Sequence, residues 1–314
     1  MNSKLTKVLL LVLGLLAMTF ISQAAQPQLL GTPVKVSENR GRMAVDIDGK
    51  PFIAAFAYDN YKNGSRNSLL LIKPLNGETT QYWYPKKDAA NGDLFHMLRA
   101  NNGCLYLTLG NEFVEFNLNQ RAWTFHAPID GMAMSFTQAP DGKVYFGTYP
   151  KSTLWEFDPA TRELREVGRL DDTEKYPSFL GADKFGWVYA GIGTARNNLV
   201  AMNAQTGERV QLADEATRNV GSGVVYLGQD GNIYGRAFGS SKSPLLLLQN
   251  GKATPVDAAN VHFNVRNDIH FQSVLTDFPN GAKLLGVDLG SKRASFIDKD
   301  GKRHDVTFDY QTNG

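Results

Sequence analysis

The chain is predicted to be all-β, a single β-propeller of six four-stranded antiparallel blades, on three observations. First, a turn ending in Gly recurs at Asp48-Gly49, Asn102-Gly103, Asp141-Gly142, Phe185-Gly186, Asp230-Gly231 and Asn280-Gly281, with successive glycines 54, 39, 44, 45 and 50 residues apart. A period of about 40–50 residues built from short strands is the signature of propeller blades. Second, each copy reads as a turn, a short apolar strand, a second strand, another turn and a third strand. Third, no long helical period competes with these strands after residue 26.

The leader comes first. Met1 to Lys7 carries two lysines and runs into the apolar stretch Val8 to Phe20, followed by Ile21-Ser22-Gln23-Ala24-Ala25. A basic start, an apolar stretch and small residues at the cut site describe a secretory signal peptide. The expected organisation is therefore a signal peptide over 1–25 and a propeller over 26–314, in a periplasmic or secreted protein. A signal anchor is the alternative, but the apolar run is shorter than the roughly 20 residues of a membrane span. No Cys stands at the cut site for a lipid anchor, and no stable span is expected once the leader is removed.

The blades follow. The third and fourth copies are the clearest: Lys143 to Gly147 then Leu154 to Asp158, against Trp187 to Gly191 then Leu199 to Asn203. Each second run leads into a polar turn, Pro159 to Arg162 or Ala204 to Gly207. Asn, Asp and Gly tolerate the positive φ that such turns demand. A ring needs closing, because an open one exposes a sheet edge. The expected closing strand is Pro33-Val34-Lys35-Val36, beside Val306-Thr307-Phe308. Six blades fill the length; a seventh is the alternative if Ala258 to Asp268 forms a degenerate blade.

Composition narrows the partners. The chain has 314 residues, 42% hydrophobic, with 30 Gly and a formal charge of +2. That charge gives no global bias towards nucleic acid. The single cysteine, Cys104, permits no internal disulfide and no thiolate zinc cage, and is expected to pack in an inner strand. A monomer is expected.

Propellers gather side chains from every blade at one funnel. The candidates in blade order are Tyr58 with Asp59, His96, Tyr149 and Lys151, Tyr176, Arg196, Arg236 and His270. His96, Tyr149 and Tyr176 are the candidate proton-moving groups; Tyr58, Lys151, Arg196, Arg236 and His270 are the candidate binders. Each also has a packing reading. His96 alternates with apolar neighbours, Tyr149 and Tyr176 precede prolines, and Arg196 lies in a Gly-rich loop where arginine is normally solvated. Arg196 and Arg236 stand at comparable points of neighbouring blades, and two such arginines can hold a carboxylate or sulfate by bidentate bonds. A tyrosine or histidine beside them can exchange a proton with the ligand. The combination suits β-elimination on uronic-acid sugars, whose carboxylate must be neutralised before the C5 proton becomes acidic.

The stretch Asp141 to Glu208, with Gly142-Lys143-Val144-Tyr145-Phe146-Gly147-Thr148-Tyr149-Pro150, Trp155 to Thr161 and Tyr189 to Arg196, resembles secreted bacterial propellers. Among these it is similar to the propeller polysaccharide lyases acting on ulvan and rhamnosyl-glucuronate chains. That resemblance implies an acidic polysaccharide or oligosaccharide partner and His, Tyr and Arg at work in the central groove. Those lyases commonly have seven blades and two histidines close in sequence, whereas here six blades and only His96 stand in the corresponding region. The alternative function is a non-catalytic cell-envelope propeller that binds a glycan or protein.

Other chemistries lack their motifs: there is no Gly-x-Ser-x-Gly elbow, no His-Glu-x-x-His helix and no phosphate loop ending in Lys-Ser/Thr. No cofactor is expected. Gluconolactonase-like propellers hold a divalent metal in the channel, and Asp59, Asn60, Asp183 and Asp268 are the oxygens available for one, without a specific spacing.

Overall fold

The structure, a computed structural model, describes residues 38–61, 64–86, 94–238, 243–263, 268–270, 274–275, 277–278 and 280–311. The chain divides between Lys35 and Val36. The leader and the expected closing strand Pro33 to Val36 lie outside the described residues.

Six sheets follow the six turn glycines. Blade 1 comprises Glu38–Ile47, Lys50–Tyr61, Gly64–Ile72 and Thr79–Trp83. Blade 2 comprises His96–Arg99, Cys104–Leu109, Glu112–Asn117 and Ala122–Pro128. Met132–Gln138, Val144–Tyr149, Thr153–Asp158 and Glu163–Arg169 form blade 3, and Pro177–Ala182, Trp187–Thr194, Asn198–Asn203 and Arg209–Gln211 form blade 4. Blade 5 is Val224–Leu227, Ile233–Arg236, Leu245–Gln249 and Lys252–Val256; blade 6 shows Lys283–Asp288, Arg293–Ile297 and Arg303–Thr307. All neighbours among these strands are antiparallel, and the short strand Val274–Leu275 joins the innermost strand of blade 1 in parallel, opposite Arg42 and Met43. Within 258–263 the chain makes a 3-10 turn, Ala258–Asn260, and a bridge from Phe263 to Gly228 of blade 5. That segment is an appendage of blade 5, and the blade count is six.

One expectation changes. The strand after each turn glycine is the second of its blade, and the innermost strand precedes the turn. Cys104 therefore opens a second strand rather than an inner one, where it is buried and its thiol is pushed up to about 11, chiefly by desolvation.

Local chemistry explains the repeat. In four copies the Asn or Asp before the glycine accepts from the backbone N–H two residues on: Asn102 from Cys104, Asp141 from Lys143, Asp230 from Asn232 and Asn280 from Ala282. Where Phe185 replaces that residue, Asp183 takes over and accepts from the N–H groups of Phe185 and Trp187. Three residues after the turn glycine of blades 2 to 5 stands a tyrosine whose hydroxyl bonds a carboxylate. Tyr106 donates to Glu115, Tyr189 to Asp183 and Tyr234 to Asp230, and Tyr145 is bonded to Glu156. Burial pushes the phenols of Tyr106, Tyr145 and Tyr189 up, holding them as donors.

Between blades the core is apolar. Aliphatic side chains of blade 1 pack on blade 2, the stacked rings of Phe113 and Phe146, 5.0 Å apart, join blades 2 and 3, and Val188, Ala190 and Met202 join blade 4 to Tyr145 and Leu154 of blade 3. Arginines of blade 3 tie it to both neighbours: Arg162 donates twice to Glu115 of blade 2, at 2.8 and 2.9 Å, and Arg165 bonds Glu156 of its own blade and the Ala204 carbonyl beside blade 4. Ring closure among the described residues is by the parallel pairing of Val274–Leu275 with the first strand of blade 1, by packing and by tail contacts. Phe296, Phe308 and Tyr310 bury against Ala44, Ile53 and Leu70 of blade 1, and Gln81 exchanges two hydrogen bonds with the Gln311 backbone. Gly77 sits in this seam with φ 72°, where an added Cβ would lie 1.8 Å from the Thr307 carbonyl oxygen.

Candidate functional site

Strand direction sorts the loops onto two faces. The turn glycines and the turns between third and fourth strands lie on one face. The connections between second and third strands, and those from blade to blade, lie on the other. All eight sequence candidates fall at or near this second rim.

Tyr149 and Tyr176 are brought together. Tyr149 ends the second strand of blade 3, and Tyr176 precedes the inner strand of blade 4. Their rings stack with centroids 4.9 Å apart and planes 21° apart, both half-buried. Desolvation, with a hydrogen bond from one hydroxyl to the other, pushes the Tyr176 phenol up. The loop is placed tightly: Gly131, at φ 93°, lets the backbone approach so closely that a Cβ there would stand 2.0 Å from the Tyr149 carbonyl oxygen. Lys151, two residues on, is exposed and bonds Asp130, which raises its ammonium pKa.

His96 and His270 are brought into register. His270 lies opposite His96 where Asp268–His270 joins the inner strand of blade 2. The His96 ring is only 2% exposed, its Nδ1 lies 3.0 Å from the Met134 carbonyl oxygen, and it meets Phe136 edge-on at 6.1 Å. The packing reading of this histidine therefore holds in the structure. The His270 and Tyr58 side chains lie outside the described residues; the Tyr58 backbone stands opposite Asn67 in blade 1.

Arg196 and Arg236 do not share an acceptor. Arg196 bonds Glu215 at 2.6 Å, and Arg236 donates to the Ser243 carbonyl of its own blade. The Gly-rich loop carrying Arg196 is itself an anion nest, already filled: the Glu174 carboxylate accepts from the N–H groups of Thr194, Ala195 and Arg196 at 2.7, 3.2 and 2.8 Å. Beside it lies a cleft of about 330 Å³ lined by Asp171, Asp172, Arg196, Arg209, Glu215 and Arg218, three acids against three arginines. Asp171 is buried against Arg218 and Asn198. Glu215 is pulled down to about 2 by hydrogen bonds from Gln211, Arg218 and Arg196. Sequence reasoning missed Glu174, Asp171, Glu215 and Arg218; their signal is charge spaced by one blade, as Asp171 and Arg218 are 47 residues apart.

Among the described residues no three His, Cys, Asp or Glu side chains are grouped to hold a metal. Of the oxygens considered from sequence, Asp183 is spent on the backbone N–H groups of Phe185, Trp187 and Asn250 and on Tyr189. No described helix is long and apolar enough to cross a membrane.

The class these features define is a six-bladed β-propeller with an aromatic and cationic rim. No protein-family model matches the chain, and no curated protein matches it in sequence. Among solved structures it is similar to a catalytically inactive variant of virginiamycin B lyase from Staphylococcus aureus with quinupristin, at 14% identity and TM-score 0.50, over 88% of this chain and 87% of that one. It also matches a quinonprotein alcohol dehydrogenase-like protein from Bacteroides thetaiotaomicron at 10% identity and TM-score 0.45, over 85% and 82% of the two chains. At 14% identity the likeness to the lyase is one of fold alone.

Proposed function

We propose that this propeller binds an acidic saccharide on the rim carrying Tyr149, Tyr176 and Lys151. The stacked, half-buried tyrosine pair carries the reading, because an aromatic face beside an exposed cation suits an apolar sugar face with an attached carboxylate. Binding without bond cleavage fits the surroundings better than elimination. A proton-abstracting group must reach its proton, and His96 is buried on a backbone carbonyl. Arg196 pairs with Glu215 and Arg236 bonds the Ser243 carbonyl, so they do not form the two-arginine clamp expected from sequence; Lys151, itself paired with Asp130 at the surface, is the cation carried by the tyrosine loop.

Elimination is the second reading, favoured by the backbone register that sets His270 opposite His96 on adjacent strands. One experiment separates the two. Purified protein is titrated with alginate, pectin, glucuronan and ulvan by calorimetry while ultraviolet absorbance is followed. Heat of binding without new absorbance is expected; unsaturated uronate ends would establish the lyase, and no heat with any polymer would refute both. The basic, apolar leader supports export to the periplasm or beyond, and mass spectrometry of exported protein should find a mature chain starting near Ala25.

A further inference from the structure

A second charged cleft opens where blades 1 and 6 meet. It has a volume of about 410 Å³ and is lined by Arg42 from the innermost strand of blade 1 and by Asp288, Ser291, Arg293, Ser295, Arg303 and Asp305 of blade 6. Asp288 and Ser291 flank the connection between the second and third strands, so the cleft reaches the same rim as the tyrosine pair.

The two aspartates are engaged. Asp288 accepts from the N–H groups of Gly290 and Ser291 and from the Ser291 hydroxyl; Asp305 accepts from Ser295 and Arg303. The Arg42 guanidinium is not fully engaged. Arg42 is half-buried, its Nε is shut from solvent without a hydrogen-bond partner, and burial lowers its pKa against the attraction of Asp288. Arg293 is exposed, and its charge lies close enough to Asp305 to help lower that carboxyl's pKa. The desolvated Arg42 Nε costs free energy that an incoming anion recovers, and the exposed Arg293 brings a second positive charge to the same cleft. Between them Gly286 leaves the floor clear: a Cβ there would meet nothing within 4 Å, and its backbone is one that side chains adopt.

We propose that the cleft over Gly286 is an oxyanion site, in which Arg42 and Arg293 hold a carboxylate or sulfate ester of the saccharide bound on the rim. The guanidinium fork matches the paired oxygens of either group. The saccharide part rests on the function proposed above; the anion part does not.

The test compares the unaltered protein with Arg42→Gln, Arg293→Gln and Gly286→Leu, the last filling the cleft without touching a charge. Lys302→Gln, in a turn on the opposite face, controls for lost net charge. Thermal unfolding is followed in sodium sulfate against chloride at equal ionic strength, then alginate and sulfated-galactan oligosaccharides are titrated by calorimetry. Sulfate should stabilise the unaltered and Lys302→Gln proteins, and the effect should vanish in the other three. The oligosaccharide that supplies the natural group should bind about tenfold to a hundredfold more weakly to each arginine variant, and which polymer shows the loss tells carboxylate from sulfate. Sulfate stabilising Arg42→Gln and Gly286→Leu as well as the unaltered protein would overturn the site. Sulfate binding lost with Arg42, but no oligosaccharide binding at all, would uphold the oxyanion site and refute the acidic-saccharide reading.

Discussion

Arg162→Ala tests how the blades are held together. Arg162 reaches from the turn between the third and fourth strands of blade 3 to Glu115 of blade 2, donating twice to its carboxylate while lying over the rings of Phe125 and Phe157 at 4.8 and 5.5 Å. The Glu115 side chain is 2% exposed, so removing the arginine strands a carboxylate in the interior with the Tyr106 and Thr124 hydroxyls and the weak Cys104 thiol as its remaining donors. Breaking a buried pair in this way costs about 3–5 kcal/mol. Arg162 is 38% exposed, which admits water to the site and brings the expected loss to about 2–3 kcal/mol. For a chain of this length that lowers the Tm by about 4–6 °C. Thermal and urea unfolding followed by circular dichroism measure it. Pairing Arg162→Ala with Glu115→Gln should recover more than half of the loss, since the stranded charge is then gone. A single-variant loss below about 0.5 kcal/mol would refute the buried-pair reasoning.

Other outcomes follow from the same contacts. Gly77→Ala should cost at least about 2 kcal/mol in urea unfolding, because the positive φ and the Thr307 carbonyl both oppose a side chain at the seam between blades 1 and 6. The Glu215 carboxylate, pulled down to about 2 from 4.5, contributes its ion pairs fully above about pH 4.5 and loses them as pH falls through 2. Its carbon-13 carboxyl shift should titrate near 2, and Arg218→Gln should move that midpoint upward; a midpoint near 4.5 in the unaltered protein would contradict the network. Gly131→Ala should displace the Tyr149 loop and weaken saccharide binding about tenfold while unfolding still occurs in one transition.

What the sequence made legible was local. A turn glycine, the Asn or Asp before it and the tyrosine three residues after it act within a few residues of one another, so each copy announces itself and the copies count the blades. Even the exception was readable in principle, since Asp183 stands two residues before Phe185 and does the work of the missing Asx residue. The candidate site was legible by face but not by contact. Strand direction alone sends Tyr149, Tyr176, Arg196 and His96 to one rim. Whether an arginine there is available depends on carboxylates delivered by other loops, and Glu215 and Glu174 lie 19 and 22 residues from Arg196. His96 alternates with apolar residues, but only the neighbouring inner strand supplies the Met134 carbonyl that occupies its ring nitrogen. The stacking of Tyr149 on Tyr176 likewise depends on how far blade 3 is rotated from blade 4, which no local pattern encodes.

The most direct test of the central claim is the affinity of the unaltered protein and of Tyr149→Ala for a uronate oligosaccharide, measured by calorimetry at low and moderate salt. The rim reading expects binding by the unaltered protein that weakens as salt rises, and a loss of about tenfold or more in the variant, whose unfolding temperature stays close to that of the unaltered protein. Equal affinities of the two proteins for the oligosaccharide would place the ligand elsewhere and contradict the claim.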